Sequence, residues 1–204
     1  MKVLLINGSP NEKGCTYTAL NEISNELIKN GIETEIFHIG NKPIGGCIAC
    51  GKCEELKKCV FEDAVNIALK KAMDADGFVF GTPVYFGSPN GSMISFMDRL
   101  FKIGNFAHKP AAVVASARRG GTTASLDVLL KYPAYMQMPI ISADYWNMVH
   151  GNTPEEVMQD KEGIHTMRVI GRNMAWLLKC IEAGKSKGIF PDKSLKEAWT
   201  NFIR

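Results

Sequence analysis

The stretch VLLINGSPNEKGCTYTAL, residues 3–20, decides the fold. Val3-Leu4-Leu5-Ile6 is a short, uninterrupted apolar run, as expected of a strand buried on both faces of a parallel sheet. NGSPNEKGC then breaks the run with loop-forming residues. A helical pattern begins at Thr16 or Tyr17, with Leu20, Ile23, Leu27 and Ile28 at helical spacing and Asn30-Gly31 as the stop. A buried strand, a glycine-bearing loop and an amphipathic helix form the first half of a β-α-β unit.

The same alternation repeats along the chain. A second strand reads over 34–39 and a helix over 63–73, with Val65, Ile67, Ala68 and Ala72 available for burial. Phe78-Val79-Phe80 is a third strand, ending in GTPVYFGSPNG. Met93, Phe96, Met97, Leu100 and Phe101 mark another helix. Ala111 to Ala115 forms a fourth strand, followed by SARRGGTT and a helix carrying Leu126, Leu129 and Leu130. Pro139-Ile140-Ile141 reads as a weaker fifth strand. A long last helix aligns Ile164, Met167, Ile170, Met174, Leu177, Leu178 and Ile181. Repeated strand–loop–helix units imply an α/β fold: a doubly wound five-stranded parallel sheet with helices on both faces.

At 204 residues one domain is the natural expectation. It spans 1–184 with a cysteine-rich insertion at 47–59. Residues 185–204 form a charged tail carrying Leu195, Ala198, Trp199 and Phe202, able to fold back or to pack on a partner subunit. The formal charge of +3 is too weak to argue for nucleic acid or an anionic membrane. The apolar run at Val3 is too short for a signal-peptide core or a membrane span. Six cysteines without a secretory signal point to a reducing compartment, by default the cytoplasm.

Three loops fall at the C-terminal ends of strands, where doubly wound sheets bind ligands. In the first, Ser9, Asn11, Cys15, Thr16 and Tyr17 surround a helix N-terminus suited to an anion. It has neither a GxGxxG pattern nor a Lys-Ser/Thr ending, so a monophosphate held by neutral donors competes with an ordinary Ser/Thr-capped turn. The second, Pro83-Val84-Tyr85-Phe86-Gly87, offers two flat aromatic faces, unless both rings belong to the core. In the third, Ser116, Arg118, Gly120 and Gly121 combine close backbone approach with a cation, while Arg119 reads as a solvated charge. Together they describe a pocket for a planar heterocycle on a phosphorylated chain, the demands FMN would make.

NGSP followed by Gly14-Cys15-Thr16, then GTPVYFGSPNG, then Phe96-Met97-Asp98-Arg99-Leu100 resemble the NAD(P)H-dependent FMN reductase branch of the flavodoxin-like superfamily. The resemblance runs from Met1 to about Cys180. It implies that Ser9 to Tyr17 hold the FMN phosphate, that Pro83 to Gly87 line the isoalloxazine, and that Ser116 to Gly121 meet its polar edge. Many relatives carry arginine where this chain has Asn11 and asparagine where it has Cys15, so a charge contact from position 11 is missing. Family likeness also implies a homodimer or homotetramer.

CIACGKCEELKKC places Cys47, Cys50, Cys53 and Cys59 within residues 47–59. The segment is similar to that of the iron–sulfur flavoproteins, which implies that these four thiolates ligate a [4Fe–4S] cluster. Their spacing alone admits iron, zinc or free thiols, and a reducing compartment disfavours disulfides. Cys15 reads as a small core thiol, with a lowered pKa open to it at a helix N-terminus; Cys180 reads as core. The leading expectation is an FMN oxidoreductase that couples flavin to the cluster and to a small-molecule or ferredoxin-like redox partner. The alternatives are a cluster-free NAD(P)H-dependent FMN or quinone reductase, with Arg118 on the nicotinamide-cofactor phosphate, and a zinc-stabilised binding module.

Overall fold

In the computed structural model, which describes residues 1–192 and residue 200, β1 (Lys2–Asn7) pairs in parallel with β2 (Glu33–His38) on one side and β3 (Gly77–Tyr85) on the other. β3 turns back on the two-residue β4 (Ser88–Pro89) as an antiparallel hairpin. It also pairs in parallel with β5 (Ala111–Ala117), which pairs with β6 (Met148–His150). The spatial order β2-β1-β3-β5-β6 is that of a flavodoxin-like doubly wound sheet, with the order reversing between β1 and β3.

Alternation along the buried strands builds two cores. Val3, Leu5, Val79, Ala112 and Val114 face a layer made by α1 (Cys15–Lys29) and α7 (Lys161–Ser186), beside the short α6 (Pro154–Gln159). Leu4, Ile6, Phe78, Phe80 and Val113 face α3 (Ala64–Met73), α4 (Gly91–Ile103) and α5 (Thr122–Tyr135). Every strand residue from Val3 to Ile6 is fully buried, which accounts for the continuous apolar run.

The edge strand differs from expectation. Ala111 N donates to Pro139 O and Ile141 N to Ala111 O, so 139–141 forms only an isolated bridge. Asn147 Nδ2 then donates to Ile141 O, satisfying that carbonyl outside the ladder, and 142–146 bulge away. The chain returns with Asn147 O accepting from Ala115 N, and β6 is the true fifth parallel strand. The short helices α6 and α2 (Cys53–Leu56) were not legible in the periodicity. Ile28, Ile67 and Cys180, read as burial candidates, are exposed. α7 continues through residue 184 to Ser186. The tail positions Leu195, Ala198, Trp199 and Phe202 lie outside the described residues. Among the described residues no helix is long and apolar enough to cross a membrane.

Candidate functional site

The loops after β1 and β3 flank the switch point of the sheet. The first is shaped by Asn7, a fully buried polar residue at the end of β1. Its Oδ1 accepts from Ser9 N at 3.1 Å and its Nδ2 donates to Glu12 O at 3.0 Å. Asn11 N donates to Ser9 Oγ, and His38 Nε2 donates to Ser9 O at 2.8 Å. Gly14 is the N-cap of α1, and no side chain caps it. The first intrahelical donor is Thr18 N, bonded to Gly14 O at 3.0 Å. The N–H groups of Cys15, Thr16 and Tyr17 therefore have no partner within the helix, and the Ser/Thr-capped turn is excluded.

Thr16 Oγ1 lies 2.8 Å from Ser116 Oγ, joining the first loop to the end of β5. Both hydroxyls are buried. The approach depends on Gly81 of β3, where a Cβ would stand 2.9 Å from Thr16 Cγ2.

The second loop is a tight hairpin. Phe86 and Gly87 occupy its two central positions with φ of 52° and 74°, the pattern of a turn with both central residues left-handed. Tyr85 is half-exposed, and Phe86 is fully solvated at 109% relative exposure. Neither ring belongs to the core. Gly121, the N-cap of α5 with φ of 98°, abuts this turn: a Cβ there would stand 2.7 Å from Gly87 Cα and 2.8 Å from Val84 Cγ1. The second and third loops thus touch through backbone. Thr82 Oγ1 accepts from Asn90 N and Asn90 Oδ1 caps α4 at Ser92 N, fixing the exit of the hairpin. Arg118, Arg119 and Gly120 are exposed beside it.

The remaining expected residues are differently placed. Asn11 is exposed, and Tyr17 lies under Lys13, whose Nζ is 3.9 Å from the ring centroid. Cys15 directs its Sγ to Gly151 O at 3.6 Å. Burial, with the Glu156 and Glu155 carboxylates adding to it, pushes its thiol pKa up. A lowered pKa at this helix start is thereby overturned, and Cys15 is a half-buried packing thiol.

The four cysteines of 47–59 border a cavity of about 290 Å³ beside Arg99. Among the described residues, however, no group of three or more Cys, His, Asp or Glu side chains is placed to hold a metal ion. This overturns the expected [4Fe–4S] ligation by Cys47, Cys50, Cys53 and Cys59, and the zinc alternative with it. The backbone reverses between successive cysteines, with left-handed Ala49 and Gly51 before Cys53 and left-handed Lys57 before Cys59. Cys47 and Cys50 are exposed, whereas Cys53 and Cys59 are half-buried. Cys59 Sγ is engaged by Arg99 Nε at 3.2 Å. All six cysteines are free thiols.

Arg99 was hidden in the sequence among apolar helix positions, yet it is 1% exposed. It grips the Asp63 carboxylate through two bonds of 2.7 and 2.9 Å and also donates to Gly45 O and Phe61 O. Both ends of the cysteine loop are thus tied to α4, directly after the hairpin.

The crevice joins uncapped N–H donors, paired hydroxyls and exposed aromatic faces at a sheet's switch point. The model of the NADPH-dependent FMN reductase family matches residues 1–153. The chain belongs to that family. It is a flavin-dependent oxidoreductase. An iron–sulfur flavoprotein of Methanocaldococcus jannaschii is 33% identical over 193 residues, covering 89% of this chain and all of the relative. One from Archaeoglobus fulgidus is 34% identical, covering 82% of this chain and 86% of its own. Among solved structures, RosB with bound 8-demethyl-8-formylriboflavin-5'-phosphate shares the fold, with a TM-score of 0.69 at 16% identity, covering 100% of this chain and 94% of its own.

Proposed function

We propose that this family member takes electrons from NAD(P)H and delivers them to a flavin, quinone or similar acceptor, with FMN as its redox group. The donor groups and aromatic faces of these loops support FMN as the group they would hold. The N–H groups of Cys15, Thr16 and Tyr17 and the hydroxyls of Ser9, Thr16 and Ser116 would hold the phosphate. Val84, Tyr85, Phe86 and Gly87, following Pro83, would border the ring. The backbone at Gly120 and Gly121 would approach its polar edge, where N–H donors favour developing negative charge. When bound, FMN supplies two-electron exchange with a nicotinamide and one- or two-electron exchange with an acceptor. Exposed Arg118 would meet the phosphates of the nicotinamide cofactor.

The observation that carries this reading is the side-chain-free cap of α1 beside the Thr16–Ser116 pair at the switch point. RosB, solved with a riboflavin-5'-phosphate derivative, supports it as a neighbour in fold. The curated relatives bear the name iron–sulfur flavoprotein. The cysteine geometry here does not fit such a cluster, and no electron step is assigned to one. Free thiols support a reducing, cytoplasmic setting, and the solvated Phe86 supports a rim covered in a homo-oligomer.

Reconstituting the protein with FMN and mixing it anaerobically with NADPH or NADH tests the reading. Bleaching of the visible flavin band by either nucleotide is expected. Failure to bind FMN, or a band that persists with both nucleotides, overturns it.

A further inference from the structure

A second cavity, of about 690 Å³, lies where the edge of the sheet is interrupted. Its floor is Val113 of β5, between the bridge at Ile140 and the start of β6, flanked by Leu126 of α5 and Ile141. The bulged segment 142–147 forms its outer wall. The size falls within the range of small-molecule sites. Of the three flavin loops its lining meets only the third, and there only at Thr123 in the first turn of α5.

Two features of the lining are chemically specific. Tyr145 and Trp146 border the cavity with 55% and 60% of their surfaces exposed, adjacent aromatic faces with no stacking partner among the described residues. Asp127 and Asp144 border it as well, whereas no lysine, arginine or histidine does among the described residues. Asp144 additionally carries His165 at 3.0 Å, and its exposed carboxylate remains at the cavity rim. An apolar floor, an indole face and two carboxylates favour a flat ring that carries positive charge, because the ring quadrupole and the carboxylates attract the same sign.

We propose that this edge cavity is a binding site for planar aromatic cations, separate from the flavin crevice. The ring stacks on Trp146 over the Val113–Leu126–Ile141 floor, with Asp127 and Asp144 balancing its charge.

Calorimetric titration of the FMN-saturated, oxidised protein with methylene blue, a planar tricyclic cation, tests this. Pyrene-1-sulfonate serves as the planar anion of comparable size. Methylene blue is expected to bind with FMN in place, and more tightly than pyrene-1-sulfonate. Trp146→Ala should weaken it about 3- to 30-fold, and Asp127→Asn and Asp144→Asn about 2- to 5-fold each. These side chains are exposed, so the variants should keep the wild-type melting temperature and FMN affinity. Equal or tighter binding of pyrene-1-sulfonate, unchanged affinity in all three variants, or expulsion of methylene blue by added FMN would each overturn the proposal. Loss of FMN binding with the methylene blue effects intact would instead count against the flavin reading alone.

Discussion

Thr16 Oγ1 and Ser116 Oγ sit 2.8 Å apart, bonded across the switch point from residues a hundred positions apart in the chain. The pair links the end of β5 to the start of α1, whose first N–H groups have no partner within the helix. Thr16→Val keeps the shape and removes one hydroxyl. A hydrogen bond to a charged group contributes about 1.5–3 kcal/mol, so FMN affinity should fall roughly 10- to 150-fold. Riboflavin, without the phosphate, should bind wild type and variant alike. Fluorescence titration with both flavins checks this; an equal loss for both would move the hydroxyl's role from the phosphate to the fold.

Phe86 combines a left-handed backbone with complete solvation. The conformation costs a non-glycine residue about 1–2 kcal/mol, and its exposed side chain returns nothing to the isolated chain. Glycine costs about 0.5–1 kcal/mol more in unfolded-state entropy, less than the relief. Phe86→Gly should therefore raise stability of the flavin-free protein by about 0.5–1 kcal/mol in urea unfolding. FMN affinity should fall about 2- to 10-fold with the loss of a stacking face. A destabilised variant with unchanged FMN affinity would show that Phe86 serves the hairpin rather than the ligand.

Which features were legible follows from where their information lies. Val3–Ile6 announced a central strand because both faces of a parallel strand need apolar side chains, and the loop sequence after it marked the ligand end. β6 was displaced from 139–141 because one side-chain amide, Asn147 Nδ2, takes the carbonyl of Ile141 and ends the ladder. Nothing in local hydrophobicity encodes that bond. The cysteine spacing misled for a related reason: ligand geometry depends on backbone sign at Ala49, Gly51 and Lys57, and only Gly51 signals it by residue type. The burial of Arg99 is not legible in its helix because its partner Asp63 stands 36 residues earlier.

Gly121 and Gly87 separate backbone freedom from close approach. At Gly87 an added methyl meets open space, so Gly87→Ala should cost only the left-handed backbone, about 1–2 kcal/mol. At Gly121 the methyl meets Gly87 Cα and Val84 Cγ1 under 3 Å as well. Backbone atoms cannot rotate aside, and Gly121→Ala should cost about 2–4 kcal/mol and push the hairpin from the crevice. Urea midpoints rank the two; a Gly87→Ala loss equal to that of Gly121→Ala would contradict the contact.

Glu35 of β2 is held by Lys2 of β1 and Lys71 of α3. The hydrogen bond from Lys2 and then that from Lys71 lower its carboxyl pKa below the ordinary value. A depressed folded pKa contributes stability that is complete above the unfolded value, near 4.3, and is lost as pH falls through the folded one. At neutral pH Glu35→Gln should lower stability by about 0.5–1 kcal/mol, the range of partly exposed ion pairs. The wild-type advantage should shrink progressively as the pH is lowered below about 4.3. Thermal melts of both proteins across this range test the sign, and an advantage that grows on acidification would refute it.

Arg99 and Asp63 carry the largest stability effect expected outside the apolar cores. Arg99 is almost wholly buried, whereas about a quarter of the Asp63 side chain reaches solvent. Removing the carboxylate strands a buried cation at about 3–5 kcal/mol. It also removes the cap of α3, since Asp63 Oδ1 accepts from Val65 N, which adds about 1 kcal/mol. Asp63→Asn keeps a capping oxygen and loses only the charge, so it should fall between wild type and Asp63→Ala. Arg99→Met leaves a carboxylate that water reaches and a cap that still works, so it should cost less than Asp63→Ala. It should nevertheless loosen 45–63, because the guanidinium alone joins Gly45 O, Phe61 O and Asp63 to α4. Urea unfolding gives the order, and faster amide exchange across 45–63 in Arg99→Met reports the loosening. Protection there equal to wild type would mean that the loop is held by its own contacts rather than by Arg99.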